Sequence, residues 1–512
     1  MSTAFVQPGL FFEVIRRPAE PSPLRSDVAG FVAFTRRGLV GVPVRVQGWR
    51  GFQEVFGGLD TRYHSPYAIR GYFENNGEIA WIVRLPGPPT KAAETAAAEW
   101  ETAGAKNLAA GYELVATSPG TWATGAEISI RYELASASSD PQLTLTVRAS
   151  GEPVEWHARI PALDLVSEVN ARSRYIRLKE INPPSAAPGP RLRNWTIAMG
   201  TLRAGSDPEP AAEQYREALM MLNEQPEVAL IALPDLWSVE IQNLATGAER
   251  EILGYAISTA EALRDRMVIA DAPLHAAQAR DEMAWFAAEG REQWTSALRA
   301  GALYHPWVRV PDPQGGTLRP VRSVPPSGHV AGVISRLDRE RGPHSTPANA
   351  ILFDAIDITT SLNADQFPED AREIVNPLLC RPGRGIEVWG GRTLAEPQGN
   401  FIAHRRLIHR LVRAIRRVAE PLVFEINGPE LWLALARAST TVLLEAWRAG
   451  RLKGQRSEEA FRVRCDAANN PQANIDLGQV LCEIDVAPAA PMEFITLRIE
   501  LGTDGLLEVF ES

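Results

Sequence analysis

The pattern of apolar and polar residues predicts alternating strands and helices in two separate parts of the chain. In the first part, apolar runs at 28–34, 42–46 and 79–83 predict strands, and segments at 48–56 and 67–75 predict short helices. In the second part, Asp207 and Pro208 suit the start of a helix that uses Tyr215, Leu219 and Leu222. Apolar runs at 228–233 and 267–270 follow and predict buried strands, and a helix between them would join them in parallel. This alternation is typical of an α/β domain.

The stretch between these two parts has a different composition and predicts an inserted β domain. An alanine-rich run begins near Lys91, and strands are predicted at 127–132 and 143–147. Turns rich in Ser, Gly and Pro separate these strands and end near Pro190. We expect the inserted domain to project outward.

The remaining sequence predicts further elements that mix helices and strands. Predicted in order are loops at 306–313 and 325–332, a helix near 348–355, a turn and half-buried strand at 382–389, a strand at 422–426, a helix from Pro429 to Gly450, and a strand at 480–486. The turn follows from Gly383 and Gly385, which can adopt positive φ without steric cost.

A helix predicted at 401–418 has one apolar and one basic face. The apolar arc contains Leu407, Ile408, Leu411, Val412, Ile415 and Val418. The opposite arc contains Arg405, Arg406, His409, Arg410, Arg413, Arg416 and Arg417. A run of charges is most often a solvated surface. Here no acidic residue is interleaved, and because like charges repel one another, we predict an acidic partner for this basic surface.

Short apolar strands are predicted at both ends of the chain. Near the start, Leu10, Phe11, Phe12, Val14 and Ile15 surround Glu13 and precede a proline-rich stretch at 18–23. Near the end, Phe494, Ile495, Leu497 and Ile499 belong to an alternating run that leads through a turn at 502–505 into a second strand at 506–510. Each strand either closes its own domain or pairs with an open sheet edge on another copy.

Length and charge limit the classes of protein. A chain of 512 residues suggests three or four domains, and it has no apolar run of about 18 residues that could cross a bilayer. The start lacks the pattern of a signal peptide, so we expect synthesis and assembly in the cytoplasm. Residues 401–464 carry thirteen basic and six acidic residues, a balance of +7 within a net charge of −9, which leaves −16 elsewhere. This distribution favours an acidic protein partner over nucleic acid.

The candidate chemistry is sparse. Asp235 and Asp271 follow the two buried strands, where α/β enzymes place catalytic or metal-binding carboxylates, but no phosphate-binding glycine motif accompanies them. We expect both to cap helices or form ion pairs, and Ser327 and His329 to belong to a turn. His404 and His409 are five residues apart and cannot share a metal on one helix face.

The spacing of the three cysteines indicates no disulfide framework. Cys380, Cys465 and Cys482 are widely spaced and predict neither a disulfide network nor a zinc site. We expect reduced and mostly buried thiols, and no metal or cofactor.

An ordered series of short motifs gives a resemblance to a known family. At the end of the chain these are Asn376-Pro377, Pro382 to Ile386, Val388 to Thr393, Arg405-Arg406-Leu407, Val423-Phe424-Glu425, Leu431-Trp432, Cys465-Asp466, Asn470-Pro471, Ile475 to Gly478, Val486-Ala487-Pro488, Pro491 and Glu493-Phe494. Earlier ones are Pro8-Gly9-Leu10 with Glu13, 28–32, 44–58, 304–313, 325–332 and 347–349. Over roughly two thirds of its length the chain resembles contractile tail sheath proteins. The stretch from Asn376 to Arg381 is shorter than usual, and the inserted domain has no clear match.

The resemblance implies a domain organisation. It implies an α/β and α+β multidomain tail-sheath fold with an N-terminal strand-exchange arm at 1–25, a middle α/β domain at 26–90 and 206–370, and an inserted β domain at 91–205. A C-terminal tube-facing domain at 371–492 and a C-terminal arm at 493–512 follow. The two arms would exchange between copies. With the resemblance, pairing with another copy is therefore favoured over closure of the chain's own domain.

The resemblance also implies a mechanical function without catalysis. The chain would polymerise as stacked hexameric rings around an inner tube, and contraction would drive that tube through a target envelope. Its partners would be itself, the tube protein, the baseplate and terminal cap proteins. Either the basic face at 405–417 or the basic stretch from Arg448 to Arg464 would contact the tube. The particle would be a phage tail or an injection particle, released or membrane-anchored; both arms on one chain argue against a two-chain type VI sheath. The alternatives from other classes are an enzyme or ligand-binding protein that uses residues 207–300 and an adhesion module built on the inserted domain.

Overall fold

The computed structural model describes residues 25–85, 97–100, 112–133, 142–161, 164–180, 196–203, 211–238, 244–318, 320–360, 371–395, 401–423, 425–488, 495–501 and 507–511. The first part contains β1 (Ala29–Ala33), β2 (Val44–Gln47), α1 (Gly48–Phe56), α2 (Ser65–Glu74) and β3 (Ile79–Arg84). These elements confirm the strands and helices that the hydrophobic pattern predicted there.

A second group of elements confirms that the middle of the chain is rich in β structure. It contains β4 (Ala97–Trp100), β5 (Tyr112–Ala116), β6 (Glu127–Glu133), β7 (Gln142–Arg148), β8 (Glu155–Pro161), α3 (Leu165–Arg172), β9 (Ile176–Glu180) and β10 (Thr196–Arg203). The seven strands form an antiparallel sheet in the order β8-β7-β6-β10-β4-β5-β9. Its core includes Trp122, Ile128 and Leu145, which are at most 5% exposed.

The chain then returns to the α/β pattern. The elements are α4 (Ala212–Asn223), β11 (Leu230–Ala232), α5 (Ala248–Leu263), β12 (Met267–Asp271), α6 (Ala276–Ala287), α7 (Glu289–Trp294), β13 (Gly301–His305), β14 (Val308–Pro311), β15 (Val321–Val324), α8 (Ser327–Arg341), β16 (Asp357–Ile358), β17 (Val375–Arg381) and β18 (Gly385–Val388). A sheet of eight strands in the order β18-β17-β13-β12-β11-β1-β3-β2 connects the two parts.

Six central strands of this sheet are parallel, and one antiparallel strand closes each edge. β11 and β12 pair in parallel on either side of α5 in the sequence, as predicted. β2 pairs antiparallel with β3, and β18 pairs antiparallel with β17. Helices cover both faces because both faces of these strands are apolar. One face packs on α1, α2 and α8, and the other packs on α4, α5 and α6.

The last part forms a smaller α+β unit. It contains α9 (Ile402–Ala419), α10 (Pro429–Arg448), α11 (Ser457–Ala460), β19 (Phe461–Arg464), α12 (Gln472–Asp476), β20 (Val480–Val486), β21 (Ile495–Leu501) and β22 (Leu507–Glu511). The four strands form an antiparallel sheet in sequence order. The helix predicted from 401, the helix from Pro429 and the strand at 480–486 are confirmed.

Several local predictions were wrong because tertiary pairing decided the backbone. The predicted loop at 306–313 contains β14, and the predicted loop at 325–332 is the start of α8. No helix forms at 348–355, where the chain instead runs along β18, with Leu352 N–H donating to the Ile386 carbonyl at 2.9 Å. Among the described residues of 422–426 no strand forms, because a 3₁₀ turn at Glu420–Leu422 continues α9 up to this point.

The sheet also corrects one domain boundary. The sequence assigned residues from 371 onward to the C-terminal domain. β17 pairs in parallel with β13, so residues 375–388 complete the middle sheet. The C-terminal unit therefore begins after β18.

Candidate functional site

The helix α9 lies between the middle domain and the C-terminal unit and uses both of its faces. Leu407, Ile408, Leu411, Val412 and Ile415 are each at most 3% exposed and pack in the C-terminal core with α10 and β20. The separation of apolar and basic residues at helical spacing, which the sequence predicted, is therefore the feature that places this helix.

The basic face of α9 turns into the middle domain. Arg405 donates through Nη2 to both carboxylate oxygens of Glu261 on α5, at 2.8 and 3.1 Å. Arg406 donates through Nη2 to Asp338 Oδ2 on α8 at 3.0 Å. Both arginines are only 4% exposed. Buried charges require partners of this kind, because their removal from water is otherwise costly.

The same face also contacts the residues at which the described chain begins. Arg406 Nη2 donates to the Ser26 carbonyl at 2.6 Å, and Arg410 Nη1 donates to Ser26 Oγ at 2.9 Å. Arg413 Nη1 donates to the Arg25 carbonyl at 2.6 Å. Three arginines on successive turns therefore hold the root of the N-terminal segment.

The remaining basic residues are less enclosed. Arg416 Nη1 lies 3.5 Å from Asp265 Oδ2 and is partly exposed, and Arg417 is also partly exposed. Burial lowers the pKa of Arg413 to about 10, and burial with the surrounding arginines lowers the pKa of His409 well below its usual value. His409 is therefore neutral and adds no positive charge to this interface.

These contacts correct the prediction for the basic surface. The six residues named as tube-facing were Arg405, Arg406, Arg410, Arg413, Arg416 and Arg417. Arg405, Arg406 and Arg413 are buried within the chain, so an exposed cationic face is wrong for them. The acidic partner inferred from the unbalanced charge exists, but it consists of Glu261, Asp265 and Asp338 of the same chain. Those carboxylates are distant in sequence, and no local pattern identified them.

The strands predicted for exchange are only partly described. Residues 10–15 and Phe494 lie outside the described residues. Ile495, Leu497 and Ile499 lie in β21, which pairs antiparallel with β20 and with β22 of the same chain. The hairpin predicted at the end of the chain is thus formed. Within the described sheet, β19 and β22 are the two edge strands.

The two aspartates at the ends of the parallel strands cap helices, as expected. Asp235 accepts hydrogen bonds from the backbone N–H of His64 at 2.7 Å and of Ser65 at 3.2 Å, at the start of α2. Asp271 Oδ1 accepts one from the Ser327 N–H at 2.7 Å, at the start of α8. Burial raises the pKa of Asp271 to about 8. Both carboxyl groups serve helix N-termini, where unpaired N–H groups need acceptors.

The other candidate residues have structural roles. Ser327 and His329 lie at the start of helix α8, so the prediction that they belong to a loop turn is wrong. His329 is fully buried against Gly71 of α2. His404 and His409 are both buried on α9. Within the described ranges, no group of three or more His, Cys, Asp or Glu side chains is placed to hold a metal ion. In the same ranges, no helix is both long and apolar enough to span a bilayer.

The cysteines follow the expectation only in part. All three are free thiols, but Cys380 is exposed, Cys465 is partly buried and Cys482 is fully buried. The expectation of mostly buried thiols is therefore wrong for Cys380, which lies on the β17–β18 hairpin near the sheet edge.

Part of the chain is similar in sequence to known tail sheath proteins. Residues 395–502 match the model of the phage tail sheath C-terminal domain. The tail sheath protein of Vibrio phage KVP40 is 28% identical over 193 residues, covering 36% of this chain and 27% of that protein. The tail sheath protein of Enterobacteria phage T4 is 26% identical over 189 residues, covering 36% and 28%. The chain thus spans little more than a quarter of the length of these curated relatives.

Solved structures extend the likeness to the whole fold. A sheath tail protein from Listeria innocua has a TM-score of 0.65 at 13% identity, with 94% of this chain and 96% of that chain covered. The helical sheath of the anti-feeding prophage in its contracted state has a TM-score of 0.53 at 20% identity, with 96% and 98% covered. The fold is therefore that of tail sheath proteins, and residues 395–502 are in addition similar in sequence to the C-terminal domain of phage tail sheaths.

Proposed function

We propose that this protein is the structural subunit of a contractile sheath, which assembles as stacked rings around an inner tube and contracts to drive the tube through a target envelope. The observation that carries the proposal is the tail-sheath fold over almost the whole chain, combined with the family match at 395–502. Its role is mechanical and not enzymatic. The two aspartates that an enzyme would use are occupied as helix caps.

The contacts of Arg25 and Ser26 support a role for the arm at 1–25 in transmitting tension between copies. Arg25 pairs with Asp27 and with Glu78, each at 2.6 Å, and Arg339 also reaches Glu78 at 3.0 Å. The arginines of α9 hold the backbone of the same residues from the C-terminal side. Tension on an arm that pairs with a neighbouring copy would therefore be transmitted to both domains at once.

The C-terminal sheet supports strand exchange between copies. Its edge strand β19 leaves one row of backbone groups unpaired within the described sheet, which suits the addition of a strand. Arg462 and Arg464 lie exposed on this strand, and Glu13 of the arm strand at 10–15 has the complementary charge. The β21–β22 hairpin, closed on its own chain here, would occupy the same place on β20 of a neighbour after exchange.

The interface at α9 supports movement of the two domains as one body. Breaking the buried pairs Arg405–Glu261 and Arg406–Asp338 would leave charges without partners, at a cost of several kcal/mol each. Contraction would then change contacts between subunits while the arms keep neighbours connected. The free energy would be stored at assembly, so no nucleotide or other cofactor is required.

Because most of the α9 face is buried, contact with the tube falls to another basic surface of the C-terminal unit. Arg448, Lys453 and Arg456 are exposed and form no ion pair within the described residues. In particles that contain the tube, charge reversal of Arg448 and Arg456 should release the tube at lower salt. Charge reversal of Arg50, exposed on the middle domain, is the control.

The remaining partners follow from this role. The sheath would end on baseplate and terminal cap proteins and would bind no nucleic acid. It would be assembled in the cytoplasm as part of a phage tail or an injection particle. We retain the inserted β domain at 91–205 as an outward projection. We extend the middle domain, expected at 26–90 and 206–370, to residue 388 because β17 pairs with β13.

Electron microscopy of the purified full-length protein tests the assembly. Striated hollow cylinders are expected, and removal of residues 1–17 should leave only small particles. Phe12→Asp should have the same effect because it places a charge in the exchanged strand, whereas Thr3→Asp, at a polar position of the same segment, should assemble normally.

Two outcomes would contradict the proposal. Dispersed monomers from the full-length protein at both low and high salt would remove the sheath assignment. Normal cylinders from the truncated protein would keep the sheath but reject the role of the arm.

A further inference from the structure

Two cysteines face each other across neighbouring strands of the C-terminal sheet. Cys465 directly follows β19, and Cys482 lies in the middle of β20. The register of these strands pairs Arg464 with Glu483, so the next antiparallel pair is Cys465 with Cys482. Their distance in sequence conceals this arrangement, which only the strand pairing creates.

The type of pair brings the two side chains close together. Ala487 N–H donates to the Ala460 carbonyl at 2.8 Å, which marks that pair as hydrogen-bonded. Hydrogen-bonded and non-hydrogen-bonded pairs alternate along an antiparallel ladder, so the Cys465–Cys482 pair is of the second kind. Such pairs have Cα atoms about 4.5 Å apart, within the range of about 4.4–6.8 Å that a disulfide spans.

A buried asparagine fixes the backbone around this pair. Asn470 is 2% exposed, and its Oδ1 accepts from the Leu481 N–H at 2.6 Å. Its Nδ2 donates to the Leu481 carbonyl at 3.0 Å and to the Asp466 carbonyl at 3.0 Å. The turn after Cys465 is therefore held against β20, and the two thiols keep their facing positions.

The surroundings of the two thiols differ. Cys482 is fully buried in the C-terminal core, and Cys465 packs against that core while partly exposed. Contact with the Cys465 thiol, together with burial, raises the pKa of Cys482 well above its usual value. An oxidant therefore reaches Cys465 first, and Cys482 is the thiol that lies next to it.

We propose that Cys465 and Cys482 form an oxidisable dithiol site, which a peroxide converts into an intrachain disulfide. The Cys465 sulfur attacks one peroxide oxygen, the O–O bond breaks, and sulfenic acid and one water form from hydrogen peroxide. The Cys482 sulfur then attacks the Cys465 sulfur and displaces the second water. Two thiols lose two electrons and two protons, and peroxide is reduced to two waters.

The bond would fix the edge strand β19 to the central strand β20. Because it closes a short loop, it restricts the unfolded chain and stabilises the C-terminal unit. We expect the thermal transition of this unit to rise by about 5 °C. The site is intrachain and does not depend on assembly into a sheath.

The test uses the full-length protein treated with hydrogen peroxide, unfolded without reductant and alkylated with iodoacetamide. Reduced protein carries three alkylated cysteines. Oxidised protein should carry one, at Cys380, and a digest should contain the Cys465 and Cys482 peptides joined by a bond that dithiothreitol breaks. Cys380→Ser should leave this bond unchanged. Cys482→Ala should leave a sulfenic acid at Cys465, which dimedone traps.

Three results would overturn the proposal. The first is sulfinic acid at Cys465 with Cys482 still open to alkylation. The second is oxidation only through Cys380, as a dimer of two chains. The third is formation of the bond only after the protein has been unfolded, which would show that the native strands do not present the two thiols to each other.

Discussion

The contact between Arg406 and Asp338 gives the sharpest test of how the two domains are joined. The guanidinium and carboxylate are 3.0 Å apart, and their side chains are 4% and 3% exposed. Replacement of Arg406 by Met keeps the volume of the side chain but leaves Asp338 buried without this cation. It also removes the hydrogen bond to the Ser26 carbonyl.

The expected loss of stability follows from the burial of the Arg406–Asp338 pair. Removal of one partner from a buried pair costs about 3–5 kcal/mol, whereas removal of both costs less because no lone charge remains. We therefore expect R406M and D338N to lower the thermal midpoint by about 6–20 °C each, on the scale of about 2–4 °C per kcal/mol. The double variant should lose clearly less than the two single losses combined, with a coupling of about 1–3 kcal/mol.

Differential scanning calorimetry measures these midpoints, and limited proteolysis near Ser26 reports whether the start of the chain is released. Arg417→Met is the matched control on the same helix, because Arg417 is partly exposed and should change stability by about 0.5 kcal/mol or less. If R406M is no less stable than R417M, or if the two single losses simply add, the reasoning about a buried interdomain pair is wrong.

Two further predictions concern other buried polar groups. Burial raises the pKa of Asp271 to about 8, above its unfolded value of about 3.9, so its contribution to stability is greatest at low pH and is lost as pH rises towards 8. D271N keeps an acceptor for the Ser327 N–H but has no carboxyl group that titrates. Its unfolding free energy relative to that of the natural protein should therefore rise between pH 5 and about pH 8. A difference that does not change with pH would contradict this. N470A removes both hydrogen bonds to Leu481 and should lower the unfolding free energy in urea by about 2–3 kcal/mol. N469A removes one long bond of 3.4 Å and should lower it by about 0.5 kcal/mol. Equal losses would refute the role of Asn470 in holding the backbone of β20.

Most single elements of this fold were predictable from the sequence. The apolar runs at 28–34 and 267–270, the helix at 48–56 and the two-faced helix α9 form where the pattern placed them. These predictions were correct because local periodicity already states which face is buried. The final hairpin, β21 and β22, was predictable for the same reason.

The errors occurred where a distant strand decided the local backbone. Residues 348–355 form turns on either side of a bridge at Ile351 because β18 supplies hydrogen-bond partners there. Residues 375–388 join the middle sheet because β13 lies beside β17. Neither partner is visible in the local pattern. Strand pairing of this kind depends on which segments the fold brings together.

The sequence by itself determined that α9 has a basic face in need of acidic partners, and that Asp235 and Asp271 follow buried strands. Only the tertiary structure decided that the partners are Glu261, Asp265 and Asp338 of the same chain, and that Cys465 faces Cys482. Local spacing fixes which residues share a face, because helices and strands have fixed periods. What that face meets depends on contacts between residues far apart in the chain, and only the folded chain supplies them.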